Sequence, residues 1–275
     1  MAVMRELDVP RIAEELVSFI KRTIHGAGFS RLVVAVSGGV DSSTATALAS
    51  AAIGPENVFA LLLPFRDWHT EGTRLAQQLL RHLQIPSGQI YEIDIAPMVE
   101  AFLQSASLPL RTTENRAARA DSDTVRVGNI MARVRMTVLF DHAKKLNALV
   151  LGTENKSEHY LGYYTRFGDE ASDLEPLRNL YKTEVYQLAD HLEIPREIRQ
   201  AEPTAGLWPG QTDEGQFGFT YQAADEILYG LYEAHLPPRE LVERGLDKQV
   251  IDAVQAWVAQ MAFKHHLPLI SPEQT

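Results

Sequence analysis

One segment of the chain has the residue types of a phosphate-binding loop, and it reads Ser37-Gly38-Gly39-Val40-Asp41-Ser42-Ser43. Paired glycines allow neighbouring backbone N–H groups to point at one place, and the serine hydroxyls add donors. An apolar run precedes the segment and an alanine-rich stretch follows it. We therefore expect a loop between a strand and a helix, whose positive N-terminal end favours an anion. The simpler alternative is an ordinary turn in which Asp41 or Ser42 caps the helix.

Carboxylates near this loop indicate a divalent cation. Asp41 would stand beside bound phosphate, and because that pairing is repulsive, we expect Mg²⁺ to bridge the two groups. Glu158 follows the end of another predicted strand, after the hydroxyl of Thr153, and would be a second metal ligand opposite Asp41. Glu154 competes for that role, and spacing does not choose between them. A capped helix start is the alternative that needs no ligand.

Two groups of basic residues could hold further anions. Arg126, Asn129 and Arg133 recur at spacings that put them on one stripe of a predicted helix. The alternative for this stripe is a solvated basic face. Lys182 stands at the start of another predicted helix, where a cation is normally disfavoured unless an anion binds there. We therefore regard Lys182 as a candidate phosphate ligand, against the alternative of a solvated lysine.

The elements that position these residues follow from the apolar pattern. Strands are predicted at 32–36, 58–63, 90–95 and 148–152, and helices at 12–24, 41–52, 70–83, 123–145 and 181–192. Strands separated by helices of this length indicate parallel βαβ units. We predict an α/β fold: a doubly wound parallel sheet flanked by helices, with a helical C-terminal part, in one domain over 1–275. Irregular segments are predicted at 105–122, 161–176 and 202–218, and the last resembles a lid.

The composition limits the classes of function. The chain has 275 residues and a net charge of −10, from 26 Lys and Arg against 36 Asp and Glu. Because binding a phosphate backbone requires a dense basic face, this charge argues against a nucleic-acid partner. The absence of cysteine excludes disulfides, cysteine-ligated metals and thiol nucleophiles. With no apolar run of about 18 residues and no apolar leader, we expect a cytoplasmic protein without membrane contact.

The glycine loop resembles the SGGxDS motif of the ATP pyrophosphatases, the PP-loop family, and it differs from the Walker and dinucleotide motifs. That resemblance implies cleavage of ATP between its α- and β-phosphates. Further motifs along the chain resemble, in type and in order, those of the ammonia-dependent NAD⁺ synthetase family. They are Gly128-Asn129 with Ala132-Arg133, 152–158, Gly162-Tyr163 with 165–169, Leu180-Tyr181-Lys182-Thr183, and 203–205 through 208–214. The implied reaction is ATP-dependent amidation of deamido-NAD⁺ by ammonia, through an acyl-adenylate, with release of AMP and pyrophosphate.

The resemblance implies site residues position by position. The residues implied to hold ATP are Ser37, Gly38, Gly39, Val40, Asp41, Ser42, Thr153, Lys182 and Thr204. The implied Mg²⁺ ligands are Asp41 and Glu158. Those implied to contact deamido-NAD⁺ are Arg133, Arg166, Asp173 and Lys264, and those implied to be catalytic are Asp41, Lys182 and Asp169. The resemblance also implies a homodimer. The chain departs from the family's usual residues at Gly72, Glu170, Ala171, Gly206, Gly215 and Phe263.

Two other functions compete with this interpretation. One is another PP-loop adenylating enzyme, modifying tRNA or making GMP; the acidic charge and the absence of cysteine argue against the tRNA-modifying type. The other is a nucleotide-binding module without chemistry, which would need the loop but not Glu158, Lys182 and Thr204 as well. Glutamine-hydrolysing modules of this kind use a cysteine nucleophile, so we expect free ammonia as the nitrogen source.

Overall fold

A parallel sheet forms the centre of the fold in the computed structural model, which describes residues 3–108, 122–265 and 271. Its strands are β1 (Leu32–Ala35), β2 (Val58–Leu62), β3 (Ile90–Glu92) and β4 (Leu149–Leu151), and they lie in the order β3-β2-β1-β4. Leu32 pairs with both Val58 and Leu149, so the carboxyl ends of β1 and β4 are level. The strand order reverses between β1 and β4, and open α/β sheets bind ligands beyond the strand ends at such a point.

Helices cover the sheet and continue beyond it towards the C-terminus. They are α1 (Val9–Gly26), α2 (Val40–Ile53), α3 (Thr70–His82), α4 (Ala96–Ser105), α5 (Ser122–Leu146), α6 (Lys156–Leu161), α7 (Lys182–His191), α8 (Arg196–Gln200), α9 (Asp213–Phe217), α10 (Tyr221–Leu228), α11 (Pro238–Glu243) and α12 (Lys248–Met261). None of the helices in the described part of the chain has the length and apolar character needed to cross a bilayer.

The two faces of the sheet pack against different helices. Val34 and Ala60 belong to a buried cluster with α1, α2, α3 and α7, whereas Val33 and Leu61 belong to one with α4 and α5. Because these strands are buried on both faces, they read as continuous apolar runs rather than as alternating ones. A third cluster joins α6 to the C-terminal helices α10, α11 and α12. This architecture confirms the predicted fold class; the assignment of a single domain over 1–275 stays a prediction.

Some predicted boundaries were wrong. The strand predicted at 90–95 ends at Glu92, and α4, which was not predicted, begins at Ala96, whose N–H donates to the side chain of Asp94 (2.8 Å). The irregular segment 105–122 begins and ends within α4 and α5, and residues 109–121 lie outside the described residues. The segment 202–218 contains the short helix α9.

Candidate active site

A cavity of about 780 Å³ opens at the carboxyl ends of β1 and β4, within the size range of small-molecule sites. It brings together all the residues that the sequence implied for ATP, metal binding and catalysis. These lining residues are 37–42, Thr153, Glu158, Asp169, Lys182 and Thr204. Four other implied residues do not line it: Arg133, Arg166, Asp173 and Lys264.

The glycine loop forms the turn between β1 and α2, at the cavity wall. Gly38 has a φ of 86°, and a Cβ there would collide with the backbone oxygen of Gly72 at the start of α3. Only glycine fits this conformation and this close approach. Gly39 is the N-cap residue of α2 and has no side chain to accept the first N–H bonds of the helix. These N–H groups are therefore available to an anionic ligand.

Lys182 lies between two carboxylates at the floor of the cavity. Its Nζ bonds to Asp41 Oδ2 and lies 3.3 Å from Glu158 Oε1, and only 3% of its side chain is exposed. Asp41 Oδ1 also accepts a hydrogen bond from Asn155 Nδ2 (2.9 Å). The first residues of α2, α6 and α7 thus meet at one point.

Glu158 caps the start of α6 and also lines the cavity. Its Oε2 accepts a hydrogen bond from Asn155 N (3.3 Å) in a capping box at the start of α6, while its Oε1 faces Lys182. Glu154 is directed elsewhere: its Oε2 accepts from Arg178 (2.7 Å). The structure therefore chooses Glu158 over Glu154 as the carboxylate that faces Asp41.

Charges in this cluster depend on one another. Burial and the nearby Asp41 carboxylate raise the pKa of Glu158 well above its usual range. Burial by itself would lower the pKa of Lys182, but the Asp41 and Glu158 carboxylates outweigh it and raise this pKa. Lys182 is therefore protonated at neutral pH and pairs with both acidic side chains.

The donor set at this point fits Mg²⁺ that is shared with a phosphate. Asp41 and Glu158 direct carboxylate oxygens to a place already occupied by a cationic group, the Lys182 ammonium. Among the described residues, no group of three or more His, Asp or Glu side chains could hold a metal. Mg²⁺ commonly takes one or two carboxylates together with substrate phosphates, which is the arrangement these residues can provide.

Three of the four residues implied to contact deamido-NAD⁺, Arg133, Arg166 and Lys264, form a second group beside the cavity. Arg133 Nε donates to Arg166 O (3.2 Å), and the Arg166 guanidinium lies over the ring of Phe263, 5.1 Å from its centre. Lys264 Nζ donates to the carbonyl oxygens of Gly162 (2.6 Å) and Tyr164 (2.7 Å). Phe263, one of the departures noted in the sequence, thus packs against one of these basic residues.

Asp169 and Asp173 have different places relative to this second group. Asp169 lines the cavity. Protein atoms enclose its carboxylate, and this burial raises the pKa of Asp169 above the usual range. Its Oδ1 accepts from Thr165 N (2.9 Å), and its charge acts on Lys264, so it lies between the two groups. Asp173 is separate: its Oδ2 accepts from Val150 N (2.7 Å) at the edge of β4.

The predicted stripe on α5 does not form one anion-binding surface. Arg126 is exposed and pairs with Asp123 (3.0 Å), as expected for a solvated face. Asn129 accepts a hydrogen bond from Thr165 Oγ1 (2.7 Å), and Arg133 contacts Arg166. The three residues lie on one helix, but they bond to different neighbours.

Sequence reasoning missed three residues that line the cavity. Arg135 donates to Leu63 O (3.0 Å), pairs with no carboxylate of the described residues, and has a pKa lowered by burial to about 10. His69 Nε2 is buried without a hydrogen-bond partner. Asp213 accepts from Ala205 N (3.0 Å) and Tyr221 Oη (3.1 Å). Only Asp213 had a sequence signal, since it lies in one of the quoted motifs.

Comparisons with known proteins agree with this geometry. The family model described as NAD synthase matches residues 12–268. The chain belongs to the NAD synthase family.

Relatives of this NAD synthase family member cover nearly its whole length. It is 40% identical over 273 residues to the NH(3)-dependent NAD(+) synthetase of Thermococcus kodakarensis, covering 98% of this chain and 100% of the relative. Among solved structures, an NMN synthetase from Francisella tularensis superposes with a TM-score of 0.82 at 32% identity, covering 97% and 99% of the two chains. The NH3-dependent NAD synthetase of Campylobacter jejuni, solved with nitrate, gives 0.76 at 30% identity, covering 97% and 100%.

Three of the departures from the NAD synthase pattern have a structural reason. A Cβ on Gly72 would lie 2.7 Å from Ser37 O, so this residue lets α3 approach the glycine loop. Gly206 has a φ of 64°, and a Cβ there would lie 2.5 Å from His69 Nε2. Glu170 Oε1 accepts from Phe167 N (3.1 Å) and closes a turn beside the cavity. Gly72 and Gly206 line the cavity, and none of the three residues belongs to the Lys182 cluster.

Proposed function

We propose that the protein is an ammonia-dependent NAD⁺ synthetase, a ligase that uses ATP to form the amide of NAD⁺ from deamido-NAD⁺. The observation that supports this most is the meeting of Lys182, Asp41 and Glu158 beside the glycine loop at a topological switch point. A module that only bound a nucleotide would not need this buried charge cluster, which is costly to desolvate.

The proposed first step forms a mixed anhydride. An oxygen of the nicotinate carboxylate attacks the α-phosphorus of ATP, the bond to the β-phosphate bridge breaks, and pyrophosphate leaves with the electron pair. Backbone N–H groups of 37–42 and the Lys182 ammonium stabilise the charge on pyrophosphate. Mg²⁺, held by Asp41 and Glu158, would supply further charge neutralisation there. Thr153 and Thr204, which also line the cavity, complete the proposed ATP site.

In the proposed second step ammonia attacks the acyl carbon, and AMP leaves with the former carboxylate oxygen. The nitrogen must lose a proton as the amide forms. We assign this proton to Asp169, which faces the cavity and whose raised pKa makes it a better base than an ordinary aspartate. Arg133, Arg166, Asp173 and Lys264 are the proposed contacts of the dinucleotide beyond the cavity. Closure of segment 202–218 over the site stays a prediction.

Three further expectations belong to this proposal. Free ammonia is the proposed nitrogen source, because the chain has no cysteine to hydrolyse glutamine. A homodimer, with the dinucleotide near the subunit interface, is the proposed assembly. The cytoplasm is the proposed location, and neither nucleic acid nor a membrane is a proposed partner.

One assay tests the proposed reaction. The protein is incubated with ATP, Mg²⁺, ammonium and deamido-NAD⁺, and the products are separated by chromatography. We expect NAD⁺, AMP and pyrophosphate in equal amounts, and no product when glutamine replaces ammonium. Formation of ADP, or no turnover, would refute the proposal.

The Francisella tularensis structure suggests a second candidate substrate. That protein is an NMN synthetase, and it superposes with a TM-score of 0.82. The assay therefore also offers nicotinate mononucleotide as a substrate that competes with deamido-NAD⁺. If the account is correct, deamido-NAD⁺ has the higher kcat/KM, because the adenylate half can reach the second group of basic residues. A preference for the mononucleotide would make NMN the product.

A further inference from the structure

A fully buried carboxylate outside the cavity connects the two helices that carry the charge cluster. Asp225 of α10 is 0% exposed and does not line the cavity. Its Oδ1 accepts a hydrogen bond from Ser157 Oγ, and its Oδ2 accepts from Thr183 N and Thr183 Oγ1, both at 2.8 Å. Asp225 therefore bonds to α6 and to α7 at the same time.

The bonds of Asp225 reach the residues next to Glu158 and Lys182. Ser157 precedes Glu158 in α6, and Ser157 Oγ also accepts a hydrogen bond from Lys182 N (2.8 Å). Thr183 follows Lys182 in the first turn of α7. The first two N–H donors of α7 are thus satisfied by Ser157 and Asp225, and these contacts fix where the Lys182 side chain begins.

A carboxylate suits this place because it must accept three hydrogen bonds. An asparagine has one acceptor oxygen, so its NH₂ group would face either the Ser157 hydroxyl or the Thr183 donors. Burial raises the pKa of Asp225 to about 6, and the bonds from Ser157 and Thr183 oppose that rise. The group is therefore mainly ionised at neutral pH and compensates the N-terminal end of α7.

We propose that Asp225 is a positioning residue for the reaction: through Ser157 and Thr183 it holds Glu158 and Lys182 at the distances from each other that bind and activate ATP. This inference rests on the proposed function for its activity readout. Asp225 does not touch the cavity itself, so its effect must pass through these two neighbours.

Glu184 provides a matched control for Asp225. It is also buried, at 1% exposure, and it also bonds to the start of α7, where its Oε2 accepts from Tyr181 N (2.9 Å). Its partner is Arg5, whose Nε lies 2.7 Å away, and neither Ser157 nor Thr183 bonds to it. Glu184→Gln therefore disturbs the same helix end without disturbing the proposed connection.

The test compares kcat, KM and melting temperature for the wild type, Asp225→Asn, Ser157→Ala and Glu184→Gln, together with ATP affinity by calorimetry. We expect Asp225→Asn to lower kcat about 10- to 100-fold, as changes to residues that orient metal ligands do, while KM for deamido-NAD⁺ stays near the wild-type value. Glu184→Gln should keep the wild-type kcat even where its melting temperature falls. If Asp225→Asn does not fold, Ser157→Ala takes its place in the comparison, because it removes only one hydroxyl of the same connection. It should then show the loss of kcat.

Two substitutions of Thr183 test the same connection. Thr183→Ser keeps both donors and should keep the wild-type kcat, whereas Thr183→Val loses one donor and should not. Wild-type kcat in Asp225→Asn, or an equal loss in Glu184→Gln, would overturn the inference. If the wild type made no NAD⁺, the proposed function would be wrong, but ATP affinity would still test the positioning role. Weaker ATP binding in Asp225→Asn, but not in Glu184→Gln, would support that role. ATP binding equal to the wild type in Asp225→Asn would overturn it.

Discussion

The ammonium nitrogen of Lys182 lies 3.3 Å from Oε1 of Glu158, at a point where Asp41 bonds to the same nitrogen. The three groups come from the starts of α2, α6 and α7. In the free protein the lysine therefore keeps two acidic groups together that would otherwise repel each other. The same lysine is the cation placed to meet a phosphate that enters from the glycine loop.

Lys182→Met should lower kcat for NAD⁺ formation by about 10²–10³-fold, the usual cost of losing one group that stabilises transition-state charge. Removal of the ammonium also leaves Asp41 and Glu158 uncompensated. Lys156→Met is the matched control, because Lys156 pairs with Glu233 (2.9 Å) and does not line the cavity. Steady-state kinetics of both variants check this, and equal losses would contradict the role of Lys182.

Gly38→Ala should abolish ATP binding, since the methyl group would collide with Gly72 and displace the loop. Gly28→Ala separates this collision from backbone strain. Gly28 also has a positive φ, 79°, but nothing lies within 4 Å of a Cβ there. Both variants should lose about 1–2 kcal/mol of stability from the left-handed conformation, and only Gly38→Ala should lose ATP affinity in calorimetry. Normal ATP affinity in Gly38→Ala would place the phosphates elsewhere.

Arg133→Ala should raise KM for deamido-NAD⁺ more than KM for ATP, because Arg133 belongs to the second group of basic residues and not to the cavity wall. Arg126→Ala is the control from the same helix, and its exposed pair with Asp123 should contribute little. Kinetics with each substrate varied in turn measure the two effects. An equal rise in both KM values would show that the two substrate sites are assigned wrongly.

Glu175→Gln should change how stability depends on pH. Burial raises the pKa of Glu175 from 4.5 to about 8. Between these values the unfolded chain is ionised while the folded one keeps its proton, so wild-type stability should fall as pH rises through this range. The variant should be the more stable protein at pH 8, by about 1.4 kcal/mol for each unit of raised pKa, with the difference vanishing near pH 4.5. Glu243→Gln, on the exposed side of α11, should show no such change in urea unfolding.

The sequence predicted those parts of the fold and site that depend on local pattern. The strands at β1 and β2 were recognised because both of their faces are buried, and the glycine loop because its residue types have few other uses. The strand at 90–95 was predicted too long because Ile93 and Ile95 are apolar, although α4 already begins at Ala96.

Other site features depend on contacts that spacing does not contain. Glu154 and Glu158 both follow the end of β4 closely along the chain, and only the direction of α6 decides which one faces Asp41. Arg135 follows Arg133 by two residues on α5 and therefore lies outside the stripe through Arg126 and Arg133. Asp225 gave no signal, because its partners lie 68 and 42 residues away.

The measurement that tests the central claim most directly follows the oxygen of the nicotinate carboxylate. Deamido-NAD⁺ labelled with ¹⁸O in that carboxylate is converted with ATP and ammonium, and the products are examined by mass spectrometry. Attack on the α-phosphorus predicts that each AMP carries one labelled oxygen and that pyrophosphate carries none. Labelled oxygen in pyrophosphate or inorganic phosphate would contradict the account. Unlabelled AMP together with labelled water would contradict it as well.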